Sequence, residues 1–159
     1  PNEGRYQLEA ETCERFGVKL INVRVNSRAL PSANQIKWLK KVIEVMPLPA
    51  LAHCKSGADR AGLFSTLYCH FRLGQPIAEA RKQLGWKYGH FRGAKTGVLD
   101  QLFESYLNDT NKLKEGPQLQ ESSDFLYWVN NYYNPEEIEK KFKPKGIAKL
   151  WIDDIVHRE

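Results

Sequence analysis

No apolar run in this chain approaches the roughly 20 residues that a membrane-spanning helix requires. A bilayer span is therefore not expected, even though 42% of the 159 residues are hydrophobic. Cysteine is scarce as well. Cys13, Cys54 and Cys69 stand at irregular spacing with no CxxC pair, which fits neither a disulfide framework nor a zinc site. Neither metal nor cofactor is expected, and a reducing, cytoplasmic setting suits the chain better than secretion. Internal repeats and low-complexity runs are missing too, so the chain reads as one ordinary globular protein, long enough to build a core without staples. It begins at Pro1 rather than methionine, from which removal of an upstream piece, with any targeting signal in it, is expected. What is present in excess is positive charge: 24 Lys and Arg against 19 Asp and Glu leave +5 at pH 7. That balance favours an anionic partner. Nucleic acid is not expected, because no Lys/Arg cluster interleaves with aromatics placed for exposure, and the aromatics fall at the spacing of a helical core.

Residues 6–16 carry Leu8, Cys13 and Phe16 among charges and stop at Gly17, as a helix would. VKLINVRV then alternates, with Val18, Leu20, Val23 and Val25 apolar, and predicts a strand. Ser32 and Gln35 form a capping-box pattern ahead of ANQIKWLKKVIEVM, whose Ile36, Leu39, Val42, Ile43 and Met46 share one helical face. LPALAH, residues 48–53, is short, apolar throughout and bounded by proline and a glycine-bearing loop. That is the pattern of a strand buried on both faces of a parallel sheet. RAGLFSTLYCHFRLG predicts a central, buried helix ending at Gly74, IAEARKQLGW another after Pro76, and VLDQLFESYL an amphipathic third. Beyond residue 112, KEGPQLQESS reads as a linker, after which DFLYWVNNYY, EEIEKKF with Asn134 and Pro135 at its start, and GIAKLWIDDIV predict helices. Trp128, Tyr132, Tyr133 and Trp151 are expected to pack this tail onto the body. The expected fold class is α/β: a central, mainly parallel sheet flanked by helices over residues 1–112, with a helical C-terminal extension over 113–159.

Between the second predicted strand and its helix lies HCKSGADR, residues 53–60. A loop at the carboxyl end of a strand and the amino end of a helix is where ligands bind in open α/β sheets. Unpaired N–H groups in the helix's first turn, with its dipole, cradle an anion such as phosphate. Small residues Ser56, Gly57 and Ala58 allow close backbone approach. There Cys54 is expected to be a thiolate near neutral pH, lowered by the helix terminus and by Arg60. Arg60, six positions on, offers a planar fork of donors to two oxygens of a phosphoryl group. The alternative is a buried core cysteine and a surface arginine.

HCKSGADR matches the HCxxGxxR signature of the cysteine-dependent protein tyrosine and dual-specificity phosphatases, and the chain resembles that family over about residues 18–106. The resemblance implies a dual-specificity-phosphatase-like fold and a cysteinyl-phosphate intermediate on Cys54, hydrolysed by water without a metal. It gives Arg60 the role of phosphate clamp, Gly57 that of the loop glycine, and the loop residues Lys55, Ser56, Ala58 and Asp59 a share in phosphate binding. His53 would orient the loop and tune the thiol, and it reads equally as a core histidine.

Two departures from the family stand out. Ala61 follows the arginine where a hydroxyl residue is common, which predicts slow breakdown of the intermediate. VNSRALPS has no carboxylate where the dual-specificity members carry their general acid, and Asn26 or Ser27 stands there. Asp59 is the substitute acid, as in the similar loops of myotubularin and Sac phosphatases; otherwise it only complements the helix dipole. Lys55 resembles the HCKAG of lipid-directed members. Arg24, Asn26, Ser27, Arg28, Lys87, His90, Arg92, Lys95 and Thr96 would line a substrate pocket if their loops fold over the site. A phosphorylated protein is thus expected as substrate, with a phosphorylated lipid or inositide second and peripheral contact with a membrane compatible with either. A binding module without catalysis is the third reading, and the sequence leaves oligomeric state open.

Overall fold

The computed structural model describes residues 3–113 and 124–144. The predicted linker from 114 to 123, and GIAKLWIDDIV with Trp151, lie outside them. Among the described residues seven α-helices follow in order, Glu3–Arg15 (α1), Ala33–Val45 (α2), Asp59–Phe71 (α3), Ile77–Ala80 (α4), Val98–Leu113 (α5), Phe125–Asn131 (α6) and Pro135–Lys141 (α7), with 3₁₀ turns at Arg81–Gln83, Trp86–Tyr88 and Lys95–Gly97. Among the described residues there is no strand. The expected α/β class, with its central parallel sheet, is therefore corrected to an all-helical arrangement.

The physical reason lies in what a strand needs. Residues 21–29 do alternate between half-buried and exposed, Ile21, Val23 and Val25 inward and Asn22, Arg24 and Asn26 outward, so the period of two is realised. Among the described residues no neighbouring segment pairs its backbone, however, and a ladder is a property of two segments. The second predicted strand departs further: residues 47–53 are exposed at every position, and Leu51 keeps 87% of its accessible area. An apolar run fixes neither burial nor pairing without a partner.

The helices follow local chemistry closely. Ser32 accepts from the Gln35 N–H, and the Gln35 side chain accepts from the Ser32 N–H at 2.8 Å, so the capping box of α2 is complete. Ile36, Leu39 and Ile43 face the core. At the other end, Arg72 Nη1 donates to the carbonyls of Ile43 and Glu44 at 2.7 and 3.1 Å, satisfying acceptors that a helix terminus leaves open. Gly17 and Gly74 adopt positive φ just beyond α1 and α3. Only four residues of IAEARKQLGW become α-helix before the turn tightens to 3₁₀.

Leu63 and Leu67 of α3, Leu99, Leu102 and Phe103 of α5, and Phe125, Trp128 and Val129 of α6 join α2 in one apolar core. α1 contributes no residue to that core. Asp124 caps α6 through the Leu126 N–H, and Trp128 Nε1 donates to Asp109 at 2.9 Å. Tyr133 donates its hydroxyl to the Pro31 carbonyl at 2.7 Å, which ties the end of α6 to the start of α2. Tyr132, expected in the core, is instead 44% exposed and leans on Tyr127. Among the described residues no helix is long and apolar enough to cross a membrane.

Candidate functional site

α3 starts without a side-chain cap: Ala58, the residue before it, makes no such hydrogen bond. The first-turn N–H groups are left to another acceptor. Cys54 sits half-buried before this turn. Burial pushes its thiol up, but the backbone N–H groups of Ala61, Ser56 and Gly57 and the charge of Arg60 outweigh that, and the thiol lies below its ordinary value. A sulfur that collects backbone donors is favoured as thiolate, because those donors stabilise the anion. Gly57 makes the reversal possible with φ of 74°, a region side chains rarely adopt. Lys55, Ser56 and Gly57 are exposed, Ala58 is buried, and Asp59 and Arg60 are half-buried on the first turn of α3.

The loop from 85 to 97 lies beside this turn. Gly89, with φ of 79°, passes so near Ala58 that a Cβ on it would stand 3.6 Å from the Ala58 Cβ. Next to it, His90 is 1% exposed and held from both sides. Nδ1 lies 2.6 Å from Asp59 Oδ1 on α3, and Nε2 lies 2.7 Å from Asp100 Oδ2 on α5. Burial alone would lower the ring's pKa; the hydrogen bonds and charges of Asp100 and Asp59 reverse this and raise it from 6.5 to about 9. The two carboxylates thus favour the charged form of the ring. Arg92 Nε supports the far carboxylate, 3.3 Å from Asp100 Oδ1, and Arg92 also pairs with Glu104. Gly97 lets this loop close, since a Cβ there would fall 2.0 Å from the Arg92 carbonyl oxygen.

His90 was expected on a substrate-pocket wall; the structure places it under the loop, as the link between Asp59 and α5. Asp100 was not singled out from sequence. An acidic residue in the first turn of an amphipathic helix reads as a dipole complement, which hid it. Its signal was position: it lies among Val98, Leu99, Leu102 and Phe103, which are all buried.

His53 turns away from the core. Its ring is half-exposed, and Nε2 meets Glu9 Oε1 of α1 at 2.7 Å. Asn26 closes an Asx turn by accepting from the Arg28 N–H at 2.9 Å, with Ser27 between them. Arg24 offers its carbonyl to Gln35. Arg28 and Lys95 do come together: with Val98, Glu139, Phe142 and Pro144 they line a cavity of about 280 Å³, which Cys54 does not line. Thr96 lies half-buried in the adjoining 3₁₀ turn, and Lys87 is exposed in the one before. Cys69 is buried and Cys13 half-buried, and both are free thiols. Among the described residues no three His, Cys, Asp or Glu side chains are grouped so that they could hold a metal ion.

No family model, curated protein or solved structure matches this chain.

Proposed function

We propose that this chain is a cysteine-dependent phosphomonoesterase of the cytoplasm, acting through a cysteinyl-phosphate on Cys54. The observation that carries the reading is the place of Cys54 before the uncapped first turn of α3, where the backbone N–H groups of Ala61, Ser56 and Gly57 and the Arg60 charge lower its thiol. Donors that hold a thiolate also suit the oxygens of a phosphoryl group bound in front of it. The sulfur attacks phosphorus, the P–O bond to the leaving alcohol breaks, and Arg60 stabilises the charge on the transferring group. Water then breaks the P–S bond. Asp59, one position before Arg60, is the carboxylate nearest in sequence for the proton transfers that these steps require.

This mechanism depends on the loop and the first turn of α3, not on a sheet behind them. A phosphorylated tyrosine, serine or threonine side chain is the first substrate class. A phosphorylated lipid or inositide is the second, favoured by Lys55, which adds a cation within the exposed loop.

The test is phosphate release from an aryl phosphate and from a phosphoinositide, in excess chelator, by native protein and by Cys54→Ser. Release that disappears in the variant supports thiol catalysis, and the ratio of rates ranks the two substrate classes. No release from either, with vanadate still bound tightly, replaces the enzyme by a phosphate-binding module.

A further inference from the structure

The cluster at the end of the cysteine loop bears on the direction in which Asp59 moves a proton, and the inference rests on the phosphatase reading above. Both carboxylates around His90 approach a ring nitrogen at hydrogen-bond distance. Two such bonds need two protons. The one toward Asp100 belongs to the ring, because the Arg92 guanidinium beside the other Asp100 oxygen, 3.3 Å away, disfavours a proton on that side chain. The one toward Asp59 lies either on Nδ1, leaving Asp59 a carboxylate, or on Asp59, leaving Nδ1 a lone pair.

The surroundings favour the first arrangement. The charged groups of this network are Asp59 from α3, Asp100 and Glu104 from α5, and Arg92 from the ring's own loop. Arg81, in the 3₁₀ turn after α4, stands 3.8 Å from Glu104. With the ring charged, cations and anions alternate along Asp59, His90, Asp100, Arg92, Glu104 and Arg81, so that each charge of the row has an opposite charge beside it. With the ring neutral and Asp59 protonated, the buried ring and the half-buried carboxyl lose a charge-assisted bond, which is the stronger kind.

We propose that His90 is a positioning residue that makes Asp59 the base of the second chemical step: donating from both ring nitrogens, it holds Asp59 as a carboxylate that accepts a proton from the attacking water, while in the first step the departing oxygen takes its proton from solvent water and not from Asp59. In the second step the water oxygen bonds to phosphorus, the P–S bond breaks and its electron pair returns to Cys54 as thiolate. One water proton passes to Asp59, and inorganic phosphate is released. With Ala61 in place of a hydroxyl residue, no side-chain hydroxyl follows Arg60 to assist the departing sulfur, so breakdown of the intermediate is the step most in need of a base.

Rapid-quench kinetics on aryl phosphates of good and poor leaving groups test this with native protein, Asp59→Asn, His90→Asn and the double variant. The expected result is a burst of about one alcohol per Cys54 that survives in both single variants, steady turnover lower by about a hundredfold, and radiolabelled phosphate accumulating on the protein. The double variant falls no further than Asp59→Asn alone. A burst that slows in Asp59→Asn selectively with poor leaving groups assigns the acid role instead and overturns the proposal, as does native kinetics in a folded His90→Asn. If His90→Asn does not fold, nitrogen-15 spectra of the native imidazole decide. Two protonated nitrogens at pH 7 support the proposal, and a lone-pair signal at Nδ1 overturns it. A native protein with no burst and no release removes the phosphatase reading, and this proposal with it; a burst present in native protein and unaffected at His90 removes this proposal alone.

Discussion

The cysteine loop is flanked by two histidines that look alike in a contact list and differ in everything else. At its start, His53 meets Glu9 at 2.7 Å with both side chains more than a third exposed. At its end, His90 meets Asp59 at nearly the same distance with its ring out of solvent and a second carboxylate behind it. Water screens the first pair and competes for both partners, so its contribution is small. The second is shielded, and each member would be costly to leave alone. The loop therefore has one soft end, tied to the exposed α1, and one hard end, built into α3 and α5. For the proposed phosphate cradle this asymmetry places Arg60 and Asp59 on the rigid side.

Removing the hard end should have the largest effect. His90→Ala leaves Asp59 and Asp100 facing each other across a cavity and should cost roughly 3–5 kcal/mol of stability in urea unfolding. A loss below about 1 kcal/mol would place the pair in the same class as His53 and Glu9 and erase the contrast.

The same comparison has a pH signature. Because the folded-state pKa of His90 is raised from 6.5 to about 9, its contribution is fully present below pH 6.5 and is lost as pH rises through 9. The amount at stake is on the order of 3 kcal/mol. Stability measured between pH 6 and 10 should decline in native protein and decline less in His90→Asn. Equal slopes would show that the ring does not carry the effect.

The thiols offer a finer discrimination. Cys54 is lowered by its backbone donors and Arg60 against the opposing effect of burial, whereas burial raises Cys69. At pH 7 iodoacetamide should modify Cys54 several times faster than Cys69, since the thiolate reacts. Vanadate or phosphate should protect only Cys54.

The smallest effect is expected at the soft end. Glu9→Gln should change stability by about 0.2–1 kcal/mol. A larger loss, or a change in the alkylation rate of Cys54 beyond about twofold, would mean that α1 helps to hold the loop.

How much of this could be read beforehand divides along the range of the interactions. Glu3–Arg15, Ala33–Val45, Asp59–Phe71 and Val98–Leu113 follow from apolar spacing, the Ser32 and Gln35 pair, and the glycines and prolines that stop them, because all these act within a few residues. Cys54, Gly57 and Arg60 were legible for the same reason, as a short motif before a helix. Residues 18–25 and 48–53 were misread as strands. Alternation predicts which side chains turn inward, and residues 21–29 obey it, but it contains no information about a pairing neighbour. That Asp100 joins Asp59, 41 positions before it, through His90 was invisible to any local pattern, and so was the approach of Gly89 to Ala58.

The sequence by itself thus determined the helices, their ends and a glycine loop able to gather donors on a cysteine, since each depends on chemistry between residues close along the chain. Only the tertiary structure decided that His90 is enclosed rather than presented to a ligand, and that Asp59 is held from α5 through it. A buried charge network is assembled from elements far apart in sequence, and its strength comes from the exclusion of water, which no single segment accomplishes alone.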